Sequence, residues 1–500
     1  MLFNTIDFIV FFILVVTTIV IVKNRNYQHL FLLIASYFFF YYSSNYLISL
    51  LIFSTVLDFY VAKKIHQQKN NPAQKKILLI TSLVGNLGLL GFFKYADFAI
   101  AQFNFFGSYF NLADEIPFLY IALPIGISFY TFQTISYTVD VYREKLEPSK
   151  SLKEFALFVA FFPQLVAGPI LRASDFLPQL REKIKSLETV SSSTIKLGKK
   201  IQLSKISINS SNLKLGITIM GFGFVKKMFF ADNIAPLVDE IFSNPMGLES
   251  FSIILGAIGF GIQIYADFSG YSDIAIGIAT VLGFKIPINF NRPYFATSPR
   301  DFWKRWHISL STWLRDYLYI PLGGSKKSSV GTYGNLFAVM ILGGIWHGAA
   351  WNFVVWGLLH GAYLAVTRFF GKKFPQFTLH PFFSTRIGKI ISILTVQYFV
   401  FLAWIPFRVQ NFDFMLYSMQ KYVLIDFATE KTLELISSNK ISVFLIVVFI
   451  ITCIISYKKN IHQIASNLSL KKWTLVMTLF AVIILVLYDG SPQDFIYFKF

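Results

Sequence analysis

The chain has 500 residues, of which 55% are hydrophobic and only 14% charged, and its formal net charge is +19. A soluble globular domain carries about a quarter charged residues, so that class is excluded, and repeated uncharged apolar runs indicate a polytopic membrane protein. In such a protein Lys and Arg collect in cytoplasmic loops against anionic headgroups, so the surplus charge points to membrane lipid and not to nucleic acid.

Apolar spans are expected at 8–22, 29–42, 46–62, 77–95, 117–138, 216–231, 251–283, 334–367, 388–408, 441–457 and 473–488. The start, "MLFNTIDFIVFFILVVTTIVIVK", has no basic segment before its apolar run and no A-x-A-like cleavage site, so it reads as a retained first helix. "FALFVAFFPQLVAGPIL" (155–171) carries Pro163, Gly168 and Pro169 and is expected to be bent or re-entrant. The spans at 251–283 and 334–367 are long enough to be tilted, broken or paired. Basic loops at 23–26, 63–76, 172–215, 285–305, 368–373 and 458–460 alternate with acidic or charge-poor ones at 43–46, 110–118 and 232–250. The alternation places the basic loops in the cytoplasm and both termini outside. The expected organisation is one membrane-embedded domain over 1–500, with the Ser- and Lys-rich 182–215 segment as a cytoplasmic loop insertion. The lone cysteine, Cys453, sits in an apolar run and reads as a packing residue.

Chemistry concentrates between 260 and 365. In "GIQIYADFSGYSDIAIG" (261–277) Asp267 and Asp273 interrupt an apolar span, where an unpaired carboxylate is costly. They read either as functional acids or as a polar clasp between helices with Ser269, Tyr271 and Ser272. In "NFNRPYFATSPRDFWKRWHISLSTWLRDYLYIPLGG" (289–324) Phe302, Trp306, Leu310, Trp313 and Tyr317 recur at three- and four-residue steps. That pattern predicts one amphipathic interfacial helix with Arg300, Lys304 and Arg315 on another face, and His307 about one step off the apolar stripe. In "LGGIWHGAAWNF" (342–353) His347 lies within a run, Gly331 to Thr367, that has no Asp, Glu, Lys or Arg. Gly343, Gly344 and Gly348 allow a close approach or a break there, and Trp346 and Trp351 flank the imidazole. A neutral imidazole fixed through one nitrogen can take a proton on the other, as a general base must. His360 in "WGLLHG" is expected to form a structural hydrogen bond between helices. No metal-binding or phosphate-loop pattern occurs, so no metal is expected. Residue chemistry alone leaves an intramembrane enzyme and a proton-coupled transporter open.

The motifs "DFSGYSDIAIG", "NFNRPYFATSPRDFWKRWHISLSTWLRDYLYIPLGG" and "GGIWHGAAWNFVVWGLLHG" resemble the membrane-bound O-acyltransferase superfamily, in its bacterial alginate O-acetyltransferase-like branch. The resemblance extends to "LPIGISFYTFQTISYTVDVYR", "FFPQLVAGPILRASDFLPQL" and "PQDFIYFKF" and departs at the 182–215 loop and at 409–440. It implies an all-α ring of about 11 tilted transmembrane helices around a tunnel, with re-entrant and interfacial helices. It also implies His347 as the catalytic residue and His307 as the second characteristic one. The implied donor is an acyl thioester such as acetyl-coenzyme A, used as co-substrate with no bound cofactor. The implied acceptor is a hydroxyl of a polysaccharide or of a partner protein, and a periplasmic or surface acetyltransferase partner is an expected companion. Arg300, Lys304, Arg305 and Arg315 are expected to hold donor phosphates or lipid headgroups. Trp306, Trp346 and Asn352 are expected to contact substrate, and Asp267 and Asp273 to shape the tunnel. The alternatives are D-alanyl transfer to teichoic acid from a carrier protein and proton-coupled polysaccharide or lipid transport.

Overall fold

The computed structural model describes residues 1–110, 115–181, 205–326, 328–378, 380–488 and 494–496. Most of the expected insertion, 182–204, lies outside the described residues. The helices that matter below are α1 (Ile6–Ile21), α2 (Arg25–Ser44), α3 (Ile48–Gln67), α4 (Pro72–Phe110), α5 (Ile127–Tyr142) and α6 (Leu152–Ala160). They continue with α7 (Ser210–Phe224), α8 (Asp232–Ser243), α9 (Ser250–Val281), α10 (Pro299–Trp303), α11 (Ile308–Leu314), α12 (Ser329–His347) and α13 (Trp351–Lys373). The last are α14 (Arg386–Arg408), α15 (Phe412–Val423), α16 (Glu430–Ser438), α17 (Lys440–Ser456) and α18 (Leu470–Val486). There is no β-strand among the described residues. The chain is an all-α, multi-pass membrane protein.

Among the described residues, six helical stretches are long and apolar enough to cross a membrane: Arg25–Gln67, Pro72–Phe110, Ser250–Val281, Ser329–His347, Trp351–Lys373 and Arg386–Arg408. The pair α16–α17, bent by 90°, makes a seventh if counted as one span. The other expected spans are helical but shorter, at 16 residues for α1 and α5 and 17 for α18. Apolar side chains stay exposed along their outer faces, as Leu475, Leu479 and Leu485 do on α18; in lipid such faces need no protein partner.

The chain forms two compact units, residues 1–220 with 274–287 and residues 221–273 with 288–500. In the first, phenylalanines dominate the core, with Phe39, Phe155, Phe158 and Phe162 fully buried. One polar cluster interrupts it, where α3, α4 and α5 meet. Asp58 accepts hydrogen bonds from Thr138 Oγ1 (2.7 Å), Asn86 Nδ2 (2.7 Å) and the Ser82 hydroxyl. The span expected at 117–138 becomes helical only at Ile127, because Pro117 and Pro124 disfavour helical geometry in the residues before them. The 155–171 stretch is bent as its prolines predict. α6 stops at Ala160 and a single buried turn, Phe162–Leu165, follows.

The long expected spans resolve differently. The span expected at 251–283 forms one 32-residue helix, α9 (Ser250–Val281), about 48 Å long at 1.5 Å per residue. Residues 334–367 form a hairpin, α12 and α13, broken at 348–350. Close packing needs the glycines: a Cβ on Gly344 would lie 2.2 Å from the Phe353 carbonyl oxygen, and one on Gly357 2.5 Å from that of Met340. The single interfacial helix expected across 299–320 does not form. α10 ends at Trp303, His307 adopts a left-handed backbone (φ 42°), α11 runs from Ile308 to Leu314, and a π-helical turn, Arg315–Tyr319, follows. The break is held from outside: Ile308 N donates to Asn289 O (2.9 Å) and Asn291 N to Arg305 O (2.9 Å). Phe302, Trp306, Leu310 and Trp313 are still buried, so the apolar stripe survives while the helix does not.

Candidate active site

His347 is the last residue of α12 and only 6% exposed. The break after it turns the chain into α13 and leaves the imidazole at the hairpin tip, among aromatic rings. Trp346, Trp356 and Phe407 meet it edge-on, with centroids at 4.9, 5.1 and 5.0 Å. Phe407 belongs to the C-terminal turn of α14, where four carbonyls lack helical partners. One of these, Pro406 O, accepts from Asn352 Nδ2 at 2.9 Å. Asn352 therefore ties the start of α13 to the end of α14 and fixes Phe407 against His347.

His307 is 1% exposed and held by Asn289. Asn289 Oδ1 accepts from Ser309 N (3.2 Å) and Ser309 Oγ (2.8 Å) and lies 3.2 Å from His307 Nδ1. A backbone N–H can only donate, so this Asn289 atom is the oxygen and His307 Nδ1 must carry the proton that reaches it. Nε2 is then the acceptor nitrogen of the neutral ring. The positive φ of His307 costs of the order of 1–3 kcal/mol and persists because the Asn289 hook over-determines it. Phe268 of α9 meets the His307 ring at 4.7 Å, and Trp346 neighbours both histidines, 6.2 Å from His307 and 4.9 Å from His347.

The two aspartates are clasped by lysines. Lys227 Nζ lies 2.6 Å from Asp267 and 2.8 Å from Asp232, and Lys226 Nζ 2.5 Å from Asp273. Both lysines sit on a π-helical turn, Val225–Ala231. Asp267 also accepts from Ile496 N (2.8 Å), and Lys227 Nζ donates to Asp494 O (3.2 Å), so this cluster anchors the described C-terminal residues. The Phe495 ring then packs on Phe268 at 5.7 Å.

The sequence-derived residues thus fall into three groups. His307, Trp346, His347 and Asn352 come together. Trp306 stacks on Phe302 (5.6 Å) and meets Trp404 at a tilt (4.9 Å), one ring removed from Phe407. Of the cations, Arg300 and Lys304 are exposed, whereas Arg305 pairs with Asp301 (2.9 Å) and Arg315 with Asp316 (2.6 Å). The expected cationic face is therefore partly neutralised by aspartates of its own segment. His360 makes no interhelical hydrogen bond through Nε2 among the described residues; it is packed between Trp303 (5.0 Å) and Trp356 (4.7 Å). Sequence reasoning missed Asn289, Phe268, Phe407 and the two lysines. Lys226 and Lys227 were findable, because charges inside the 216–231 apolar run need buried partners of opposite sign.

Comparison with known proteins adds an independent line. The model of the MBOAT, membrane-bound O-acyltransferase family, matches residues 142–403, a range that includes both histidines. The chain is 34% identical over 488 residues to the peptidoglycan O-acetyltransferase of Helicobacter pylori, covering 89% of this chain and 86% of that protein. It is 39% identical over 363 residues to the probable alginate O-acetylase AlgI of Azotobacter vinelandii, covering 72% and 65%. It is 28% identical over 288 residues to the teichoic acid D-alanyltransferase of Bacillus subtilis, covering 55% and 66%.

Proposed function

The chain belongs to the membrane-bound O-acyltransferase family and is an acyltransferase, and on that premise we propose that it moves an acetyl group from a cytoplasmic thioester to a hydroxyl on the outer side of the membrane. The acceptor is an exported or cell-surface polysaccharide, directly or through a partner protein, in keeping with the relatives' names. His347 is the general base. It removes the acceptor's hydroxyl proton as the oxygen attacks the thioester carbonyl; the carbonyl–sulfur bond breaks, and the proton passes to the departing thiolate. Such a base is worth about 10²–10⁴ in rate. His307, fixed through Nδ1 by Asn289, orients the donor with Nε2. Arg300 and Lys304 hold donor phosphates at the cytoplasmic mouth, and both termini face outward.

The observation that carries this reading is the placement of His347: buried, at a helix break, walled by three rings that keep water from the thioester. The test is transfer from radiolabelled acetyl-coenzyme A in reconstituted membranes. Label should reach a saccharide acceptor with the wild-type chain and not with His347→Ala of equal insertion and thermal stability. Transfer only from a D-alanyl carrier protein would move the reading to the teichoic acid reaction.

A further inference from the structure

A cavity of about 420 Å³ opens in the second unit at the end of α14 opposite the basic Lys372–Lys373 segment. Its rim carries Asp239 of α8 and Arg408 of α14, whose Nη2 and Oδ1 lie 2.6 Å apart. Ser243 and Asn411 stand beside them, and Gln263 of α9 and Ile496 line the wall. Gln263 Oε1 is buried and has no hydrogen-bond partner among the described residues. An unserved buried acceptor costs about 1–3 kcal/mol, so this wall is suited to a donor brought by an occupant. Phe407 is the residue before Arg408 in the chain, and its ring touches His347. The rim residue Arg408 and the ring against His347 therefore share the last turn of α14.

Resting on the acyl-transfer reading above, we propose that this cavity holds a saccharide ring of the acceptor and that the Asp239–Arg408 pair makes it select an uncharged ring. The rim offers a carboxylate that accepts two hydroxyl protons and a guanidinium that donates to hydroxyl oxygens, with amides from Gln263 and Asn411 behind them. Their net charge is zero. A sugar carboxylate gains little there, because Asp239 already occupies the guanidinium face and repels a second anion. The last turn of α14 carries both Arg408 at the rim and Phe407 against His347, so a saccharide chain with one ring seated here runs past the turn that borders the imidazole.

The experiment is acyl transfer to two oligosaccharide acceptors of equal length, one of neutral N-acetylhexosamine units and one of uronic acid units. Wild type should favour the neutral acceptor. Asp239→Asn frees Arg408 as a net cation, so the KM for the neutral acceptor should rise about tenfold while that for the uronate falls, with the KM for acetyl-coenzyme A unchanged. Ser243→Trp, which fills the exposed rim and removes no buried contact, should raise both acceptor KM values about tenfold at unchanged donor KM and thermal stability. Unchanged acceptor preference in Asp239→Asn, or unchanged acceptor KM in Ser243→Trp, would overturn the proposal while leaving the acyl-transfer reading in place. A wild-type chain that turns over no thioester at all would instead sink that reading. Competition binding of the two oligosaccharides to the purified chain then tests the cavity by itself: weaker neutral binding in Asp239→Asn supports it, and equal binding refutes it.

Discussion

Each unit encloses acidic side chains, and their oxygens are satisfied in opposite ways. In the first, Asp58 is fully buried and takes three hydrogen bonds from hydroxyl and amide groups, with no cation among the residues that bond it. In the second, Asp267 and Asp273 face lysines at 2.6 and 2.5 Å, and the same cluster anchors the C-terminal residues behind Phe268. A neutral clasp can exchange Asp for Asn at modest cost, because no partner is left charged. A buried ion pair cannot, because removing one member strands the other. The first arrangement joins helices; the second also sets the position of residues that touch His307.

The largest expected effect separates chemistry from support. His347→Ala should lower acyl transfer by about 10²–10⁴ with little change in stability, while Asp58→Asn should leave the rate within a few fold. Retained transfer in the first, or lost transfer in the second, in assays matched for inserted protein, would break the contrast. Next in size is Asp267→Ala, which takes from Lys227 its most buried carboxylate partner. A loss toward the lower end of about 3–5 kcal/mol is expected, read by thermal unfolding in detergent. Asp267→Asn, which keeps an oxygen for Ile496 N and removes the charge, should cost nearly as much, and a stability close to wild type would mean that the carboxylate acts through something other than its charge. Asn289→Ala removes the acceptor shared by His307 and Ser309 and should cost about 1–3 kcal/mol. It should also raise the donor KM more than Asn289→Asp, which keeps an oxygen for the same donors; equal KM values would reduce the hook to a structural role. Asp58→Asn is expected to cost about 1 kcal/mol, one rearranged hydrogen bond, by the same unfolding measurement.

The smallest effect lies in the loop after α15. The hydrogen bond from Lys421 (2.7 Å), helped by the Ser250 and Ala428 amides, holds the Asp426 carboxyl at about 2, below the usual carboxylate range. A lowered folded-state value means that the anion stabilises the fold above about pH 4 and that this contribution fades as pH falls from about 4 toward 2. Asp426→Asn should therefore unfold slightly earlier than wild type at pH 6, and the gap should close by pH 2. A gap that persists there would assign the effect to packing.

Much of the candidate site was legible. The charge-free run around His347, the glycines beside it and the intramembrane aspartates are local features, and each marked a place where the structure does something unusual. The 299–320 segment shows the limit. Its apolar stripe has helical spacing, yet the backbone breaks at His307 because Asn289 and Asn291 bond to it from outside the repeat. Periodicity registers which residues turn inward but not whether the helix between them is continuous. The arginines show the same limit, since Asp301 and Asp316 take up Arg305 and Arg315.

By itself the sequence determined the class of the protein, the residues that form most of its helices, and the positions where polar chemistry is buried. Those follow from transfer free energies and from the 3.6-residue repeat, which act over a few turns of one chain segment. Tertiary structure alone decided which lysine serves which aspartate, that Asn289 sets the His307 tautomer, and that Phe407 of α14 packs against His347. Those choices depend on atoms brought within about 3–5 Å from segments far apart in the chain, at separations that spacing along one helix does not encode.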